Sequence, residues 1–285
     1  MNYLFLSPYA VIQDWRYSEF LLQKSLNTKN NVAVIGCKGI MQNSCMAIKA
    51  HSNFYKSEFI KKRICSRCIS NQRKYSEKLK IFYIEDFLEK KEIDQIKLKI
   101  LNLKKNDFYK LNVDGLEIGK ICLFENMLIN KKNNLNFSDK EYEQIKFTIQ
   151  NLLFLNEALK KIEKIYIPNI VISQNGNYSL SKLFNVYFDK KNIPAYSWEA
   201  SNHYFKRFEK LFISKNDNNY GLNYIKNNWK NKFSKNKITK KNLESVNKHL
   251  ETIIKAKALR SFSKKYSSSD KTLRSYYNIK TDKIV

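Results

Sequence analysis

The chain has 285 residues, 53 Lys or Arg against 26 Asp or Glu, a formal net charge of +27, and a hydrophobic content of 43%. That apolar share is enough for one large or two small cores and excludes a disordered chain. No run of about 18 apolar residues occurs, and the opening NYLFLSPYAVI carries neither a basic leader nor a small-residue cleavage site. The sequence therefore reads as cytoplasmic.

The first 200 residues alternate strand and helix patterns. Tyr3 to Leu6 reads as a strand, Trp15 to Leu26 as an amphipathic helix and Val32 to Ile35 as a second strand, which together make a βαβ unit. From Ser57 to Lys80 basic residues dominate and the pattern weakens. Residues 81–88 read as a strand running into a helix. Ile93, Ile96, Ile100 and Leu103 then mark one helical face. Asp114-Gly115 predicts a turn. Ser138, with Glu141 three residues later, predicts a capped helix running to about Ile162.

The most informative segment is 170–199, IVISQNGNYSLSKLFNVYFDKKNIPAYSWE. A β-branched run follows Pro168. Leu180, Leu183, Phe184, Val186 and Tyr187 then have helical spacing, and Ile193-Pro194-Ala195-Tyr196 starts another strand. The Asn-Gly pair thus belongs to a loop between strand and helix. In a parallel sheet the residues at the two strand ends, Asn175, Gly176 and Asn177 after the first and Glu199 and His203 after the second, face the crevice where open α/β sheets hold ligands. A carboxylate at Glu199 suits a general base towards a hydroxyl. No P-loop, G-x-S-x-G or G-x-G-x-x-G occurs, and Gly36-Cys37-Lys38-Gly39 is too short for a nucleotide fingerprint.

After Trp198 no strand is expected before the last few residues, and beyond His203 a basic, mainly helical segment follows. Residues 201–285 hold 21 Lys or Arg against 6 Asp or Glu. Only seven of the 53 basic residues are Arg, the usual reader of base edges, so nucleic acid is the weaker reading of this charge. A Lys- and Asn-rich composition without a specific partner is the plainest one, and an anionic membrane surface stands between them. The expected organisation is a Rossmann-like domain over 1–203 and a basic helical segment over 204–285.

Cys37, Cys45, Cys65 and Cys68 fall as C-x7-C-x19-C-x2-C. Such a set can close a zinc or iron–sulfur site, pair as disulfides or remain free thiols.

The order of these features resembles the N-terminal half of glycosyltransferase-like proteins of bacterial capsule and surface polysaccharide biosynthesis, over roughly residues 1 to 270. It is most specific in Val171-Ile172-Ser173-Gln174-Asn175-Gly176 and Ile193-Pro194-Ala195-Tyr196-Ser197-Trp198-Glu199. The resemblance implies one half of a GT-B architecture, a sugar or lipid-linked saccharide acceptor, and a nucleotide-sugar donor held by a second half. Val285 falls where that half would begin, so the expectation is an acceptor-side half, inactive alone, peripheral at the inner face of the cell membrane and completed by a separate donor-binding half. Asn175, Gly176 and Glu199 match the motif at the cleft edge, and the four cysteines match its cysteine pattern. The alternative is a non-catalytic module that binds nucleic acid or anionic membrane through its basic segment.

Overall fold

In the computed structural model the described residues are 1–12, 15–49, 57–200, 211–215, 226, 228–234 and 237–254. They fall into two units, Met1–Gly221 and Leu222–Val285. The first is an α/β fold around a six-stranded, mostly parallel sheet flanked by helices. Its strands are β1 (Asn2–Leu6), β2 (Asn31–Gly36), β3 (Lys80–Tyr83), β4 (Ile170–Gln174), β5 (Ala195–Ala200) and β6 (Leu211–Lys215). They lie in the order β3-β2-β1-β4-β5-β6. All neighbours are parallel except β5 and β6, which run antiparallel. The sequence pattern stops short of β6, whose residues are all intermediate or exposed, as befits an edge strand. The second unit contributes a π-helical turn, Trp229–Phe233, and the helix α9, Lys240–Ile254.

The remaining helices are α1 (Phe20–Asn27), α2 (Met46–Lys49), α3 (Glu58–Tyr75), α4 (Lys90–Leu101), α5 (Ile118–Ile121), α6 (Leu123–Asn130), α7 (Asp139–Ile165) and α8 (Ser179–Asp189). A π-helical turn, Trp15–Glu19, leads into α1. The inner strands are apolar and buried: Leu4, Phe5, Leu6, Ala33, Val34, Ile35 and Val171 have no exposed surface, as a sheet covered on both faces requires.

α7 is the central covering element and packs against α4, α6 and α8. Its start is the capping box read from the sequence. The Glu141 N–H donates to Ser138 Oγ at 3.3 Å, and the Ser138 N–H donates to the Glu141 carboxylate at 2.7 Å. Its far end is tied to the sheet by Tyr166, whose hydroxyl lies 3.0 and 2.9 Å from the carbonyl oxygens of Tyr3 and Asn31.

The stretch 57–80, weak in sequence, forms the two-faced helix α3. Its outer face is basic. Inward, Cys68, Asn71 and Gln72 reach the loop that follows β1, with Gln72 Nε2 donating to the Ser7 carbonyl at 2.9 Å and Asn71 Nδ2 to the Ala10 carbonyl at 3.1 Å.

The Asp114-Gly115 turn forms as expected, with both residues at positive φ (54° and 75°) and a bridge between Val113 and Leu116. Close by, Gly119 lies against the backbone of the Phe108–Lys110 turn. A Cβ there would collide with the Phe108 carbonyl oxygen and sit 2.7 Å from Tyr109 Cα. Because backbone cannot swing aside as a side chain can, Gly119→Ala should cost about 1–3 kcal/mol. Urea unfolding followed by far-UV circular dichroism measures this as a lowered midpoint at unchanged slope.

Candidate functional site

Strand order locates the site. The chain winds outward from β1 through β2 to β3 on one side and from β4 to β5 on the other. The switch point therefore lies between β1 and β4, and the region beyond their carboxyl ends is where open α/β sheets hold ligands.

The β4–α8 loop forms one wall. Asn175 adopts φ +47°, a left-handed conformation that Asn tolerates better than most residues, and its N–H donates to the Trp198 carbonyl at 2.9 Å. Gly176 is required for a different reason, the space it leaves. A Cβ there would collide with Ser197 Oγ and lie 2.9 Å from Asn185 Nδ2. Beneath the loop runs a buried polar chain. Ser173 Oγ donates to Asn185 Oδ1 (2.9 Å), Asn185 Nδ2 donates to Ser197 Oγ (2.9 Å), and the Gly176 N–H donates to the same Ser197 oxygen (3.2 Å). β4, α8 and β5 are thereby locked in one arrangement.

That lock brings Asn175 and Glu199 together, with Asn175 Nδ2 donating to Glu199 Oε1 at 3.4 Å. Asn177 follows in the same loop, its N–H 3.4 Å from Asn175 Oδ1. His203 lies outside the described residues. Sequence reading overlooked Ser173, Asn185 and Ser197; their signal was polar side chains at positions that strand and helix periodicity assign to the interior.

It also overlooked Glu125, which is 2% exposed. Its carboxylate accepts the N–H of Ser179 at the start of α8 (3.2 Å) and the Lys49 ammonium (3.4 Å), while Lys49 also donates to Ser44 Oγ (2.8 Å). The first N–H of α8, part of a natural anion cradle, is thus taken by a carboxylate of the chain. The loop after β2 behaves alike: the N–H groups of Lys38 and Ile40 both donate to Glu85 Oε1 at 2.7 Å. In two places where a phosphate would find backbone donors, a carboxylate of the chain already holds them. Tyr178 reports the result. Burial first, then the charges of Glu199 and Glu125, raise its hydroxyl pKa above the ordinary tyrosine value.

The four cysteines do converge. Cys37, Cys45, Cys65 and Cys68 line one cavity of about 20 Å³, together with Pro8, Met41 and Ile64. Burial pushes the Cys45 thiol up to about 12 and the Cys68 thiol up to about 11, so both are neutral. Among the described residues no group of three or more His, Cys, Asp or Glu is placed to hold a metal ion. As arranged, these thiols fit neither zinc nor an iron–sulfur cluster, and all five cysteines are free.

No protein-family model matches the chain. Among curated proteins it is similar to "Protein PFC0760c" of Plasmodium falciparum (isolate 3D7), at 28% identity over 67% of this chain. The chain spans about 6% of that protein's length. Among solved structures it is similar to AlbC, a cyclodipeptide synthase from Streptomyces noursei, at 8% identity and a TM-score of 0.38, over 64% of this chain and 87% of that one. A cyclo(L-leucyl-L-phenylalanyl) synthase gives 8% identity and a TM-score of 0.32 over 64% and 81%.

These findings correct the resemblance drawn from the sequence. The solved structures similar to this chain are cyclodipeptide synthases and not glycosyltransferases, and with no family model to support it the assignment to capsule polysaccharide biosynthesis is withdrawn. So is the half-enzyme awaiting a donor domain. At 8% identity and these TM-scores, the synthases in turn define no activity for this chain. No helix among the described residues is long and apolar enough to cross a membrane.

Two predictions follow from the buried charges. Glu19, 2% exposed beside Ser7 and Trp198, is raised to about 8, mainly by burial. The folded protein therefore keeps a proton that the unfolded chain releases near pH 4.5. This contribution is complete below that pH and is lost as pH rises towards 8, with a slope of at most about 1.4 kcal/mol per pH unit. In urea titrations between pH 5 and 8, Glu19→Gln should flatten this decline. Separately, the side chains of Lys49 and Glu125 are only 6% and 3% exposed. Lys49→Met should cost about 3–5 kcal/mol by leaving a buried carboxylate uncompensated, and adding Glu125→Gln should recover part of the loss in the same assay.

Proposed function

We propose that this protein binds a neutral, hydroxyl-rich small molecule, of the saccharide class, in the crevice beyond β1, β4 and β5. The observation that carries this reading is the contact between Asn175 and Glu199 at the crevice wall. An amide and a carboxylate side by side offer the donor and acceptors that neighbouring hydroxyls of a sugar ring need. The local charge supports it as well. The carboxylates of Glu199 and Glu125 both act on Tyr178, and the first N–H of α8 and two N–H groups after β2 are already held by carboxylates of the chain, which leaves fewer backbone donors there for an anionic ligand. Asn177, in the same loop, is the third polar contact, and the buried chain under Gly176 fixes the wall before the ligand arrives.

Saturation-transfer NMR of the full chain with a panel of neutral mono- and disaccharides tests this. At least one sugar should bind saturably, and Asn175→Ala and Glu199→Gln should each weaken it about 5- to 100-fold. Absence of binding across the panel, or affinities unchanged in both variants, would overturn the proposal.

A further inference from the structure

A second concavity, of about 360 Å³, lies between α8 and residues 117–124. Its size falls in the range of small-molecule sites, roughly 300–1,000 Å³. Helical spacing builds both walls. Lys182 and Val186 of α8 and Lys190, its C-cap, recur every four residues along one stripe, and Glu117, Lys120, Ile121 and Phe124 line the opposite side. The floor is apolar, formed by Ile121, Phe124 and Val186, with Phe124 left 48% exposed.

The rim carries three ammonium groups against one carboxylate. Two of the three are engaged within the chain: Lys120 pairs with Glu117 at 2.5 Å, and Lys190 donates to the Gly115 carbonyl oxygen. Lys182 is different. None of the ion pairs among the described residues includes it, and its half-buried position holds its pKa below the ordinary lysine range, with Asp189 acting weakly in the opposite sense. A partly desolvated cation left unmatched at the edge of an apolar floor is a cost that an incoming anion relieves.

We infer that this cleft binds an amphipathic anion, a single carboxylate or phosphate-monoester head seated on Lys182 with its apolar body on Ile121, Phe124 and Val186. This ligand is charged where that proposed for the strand ends is neutral, and the two share only the neighbourhood of Asn177. The inference therefore stands apart from the saccharide reading, and each can fail alone.

Isothermal titration of the full chain with decanoate and with decyl phosphate tests it, with decyltrimethylammonium as the cationic control. At least one anion should bind saturably, and which one binds names the head group. The cation should not bind. Lys182→Gln should weaken the anion at least about tenfold, Lys182→Arg should retain it, and Glu199→Gln should leave it unchanged. Failure of both anions to bind, equal binding of the cation, or undiminished affinity in Lys182→Gln would overturn the inference.

Discussion

The carboxylate of Glu125 is the contact on which the joining of α2, α6 and α8 depends. A buried anion is tolerable only with compensation from several directions, and here that comes from the Lys49 ammonium and the first N–H of α8. Lys49 belongs to the connection after β2, Glu125 to α6 and Ser179 to α8, so one carboxylate joins three segments far apart in sequence. The network continues from Lys49 through Ser44 to Thr148 on α7 (2.8 Å between hydroxyl oxygens). Asn151 Nδ2, also on α7, donates to the Ser44 carbonyl at 3.3 Å. The long helix that covers the sheet is thereby tied to the same polar cluster.

The consequence for function is electrostatic. On a chain with a net charge of +27, the natural assumption is an anion-seeking surface, and helix N-termini and loops at strand ends are the usual places for it. Glu125 and Glu85 cancel that assumption at the two loops where backbone donors converge. On the flank of α8, Lys182 is half-buried beside an apolar concavity and takes part in no ion pair among the described residues. The buried carboxylates at the strand-end loops and the half-buried Lys182 beside an apolar concavity show local charge that the net charge conceals.

Much of the sheet was legible beforehand because its signals are local. The β-branched run at 170–172, the apolar stripe of α8 and the Ser138–Glu141 cap each depend on residues within a turn or two of one another. The nearness of Asn175 and Glu199 also followed, since parallel strands joined by a helix bring their carboxyl ends to one edge. α3 and β6 were less legible for opposite reasons. In α3 the inward side chains include polar ones, Asn71 and Gln72, whose partners are carbonyl oxygens of the loop after β1 about sixty residues away. In β6 the strand is an edge, with only one neighbour and little burial to impose a pattern.

The cysteines and the acidic crevice mark the boundary between the two kinds of information. Sequence by itself determined the α/β class, the strand–loop–helix–strand unit at 170–199 and the residues at its ends, because periodicity and turn chemistry are properties of neighbouring residues. Only the tertiary structure decided that Glu125 would take the first N–H of α8, that four thiols would share one small cavity without forming a ligand set among the described residues, and that Lys182 would stand beside an apolar floor without an ion-pair partner among them. Each of these depends on the distance between groups tens of residues apart and on how much water burial removes from them, quantities set by packing.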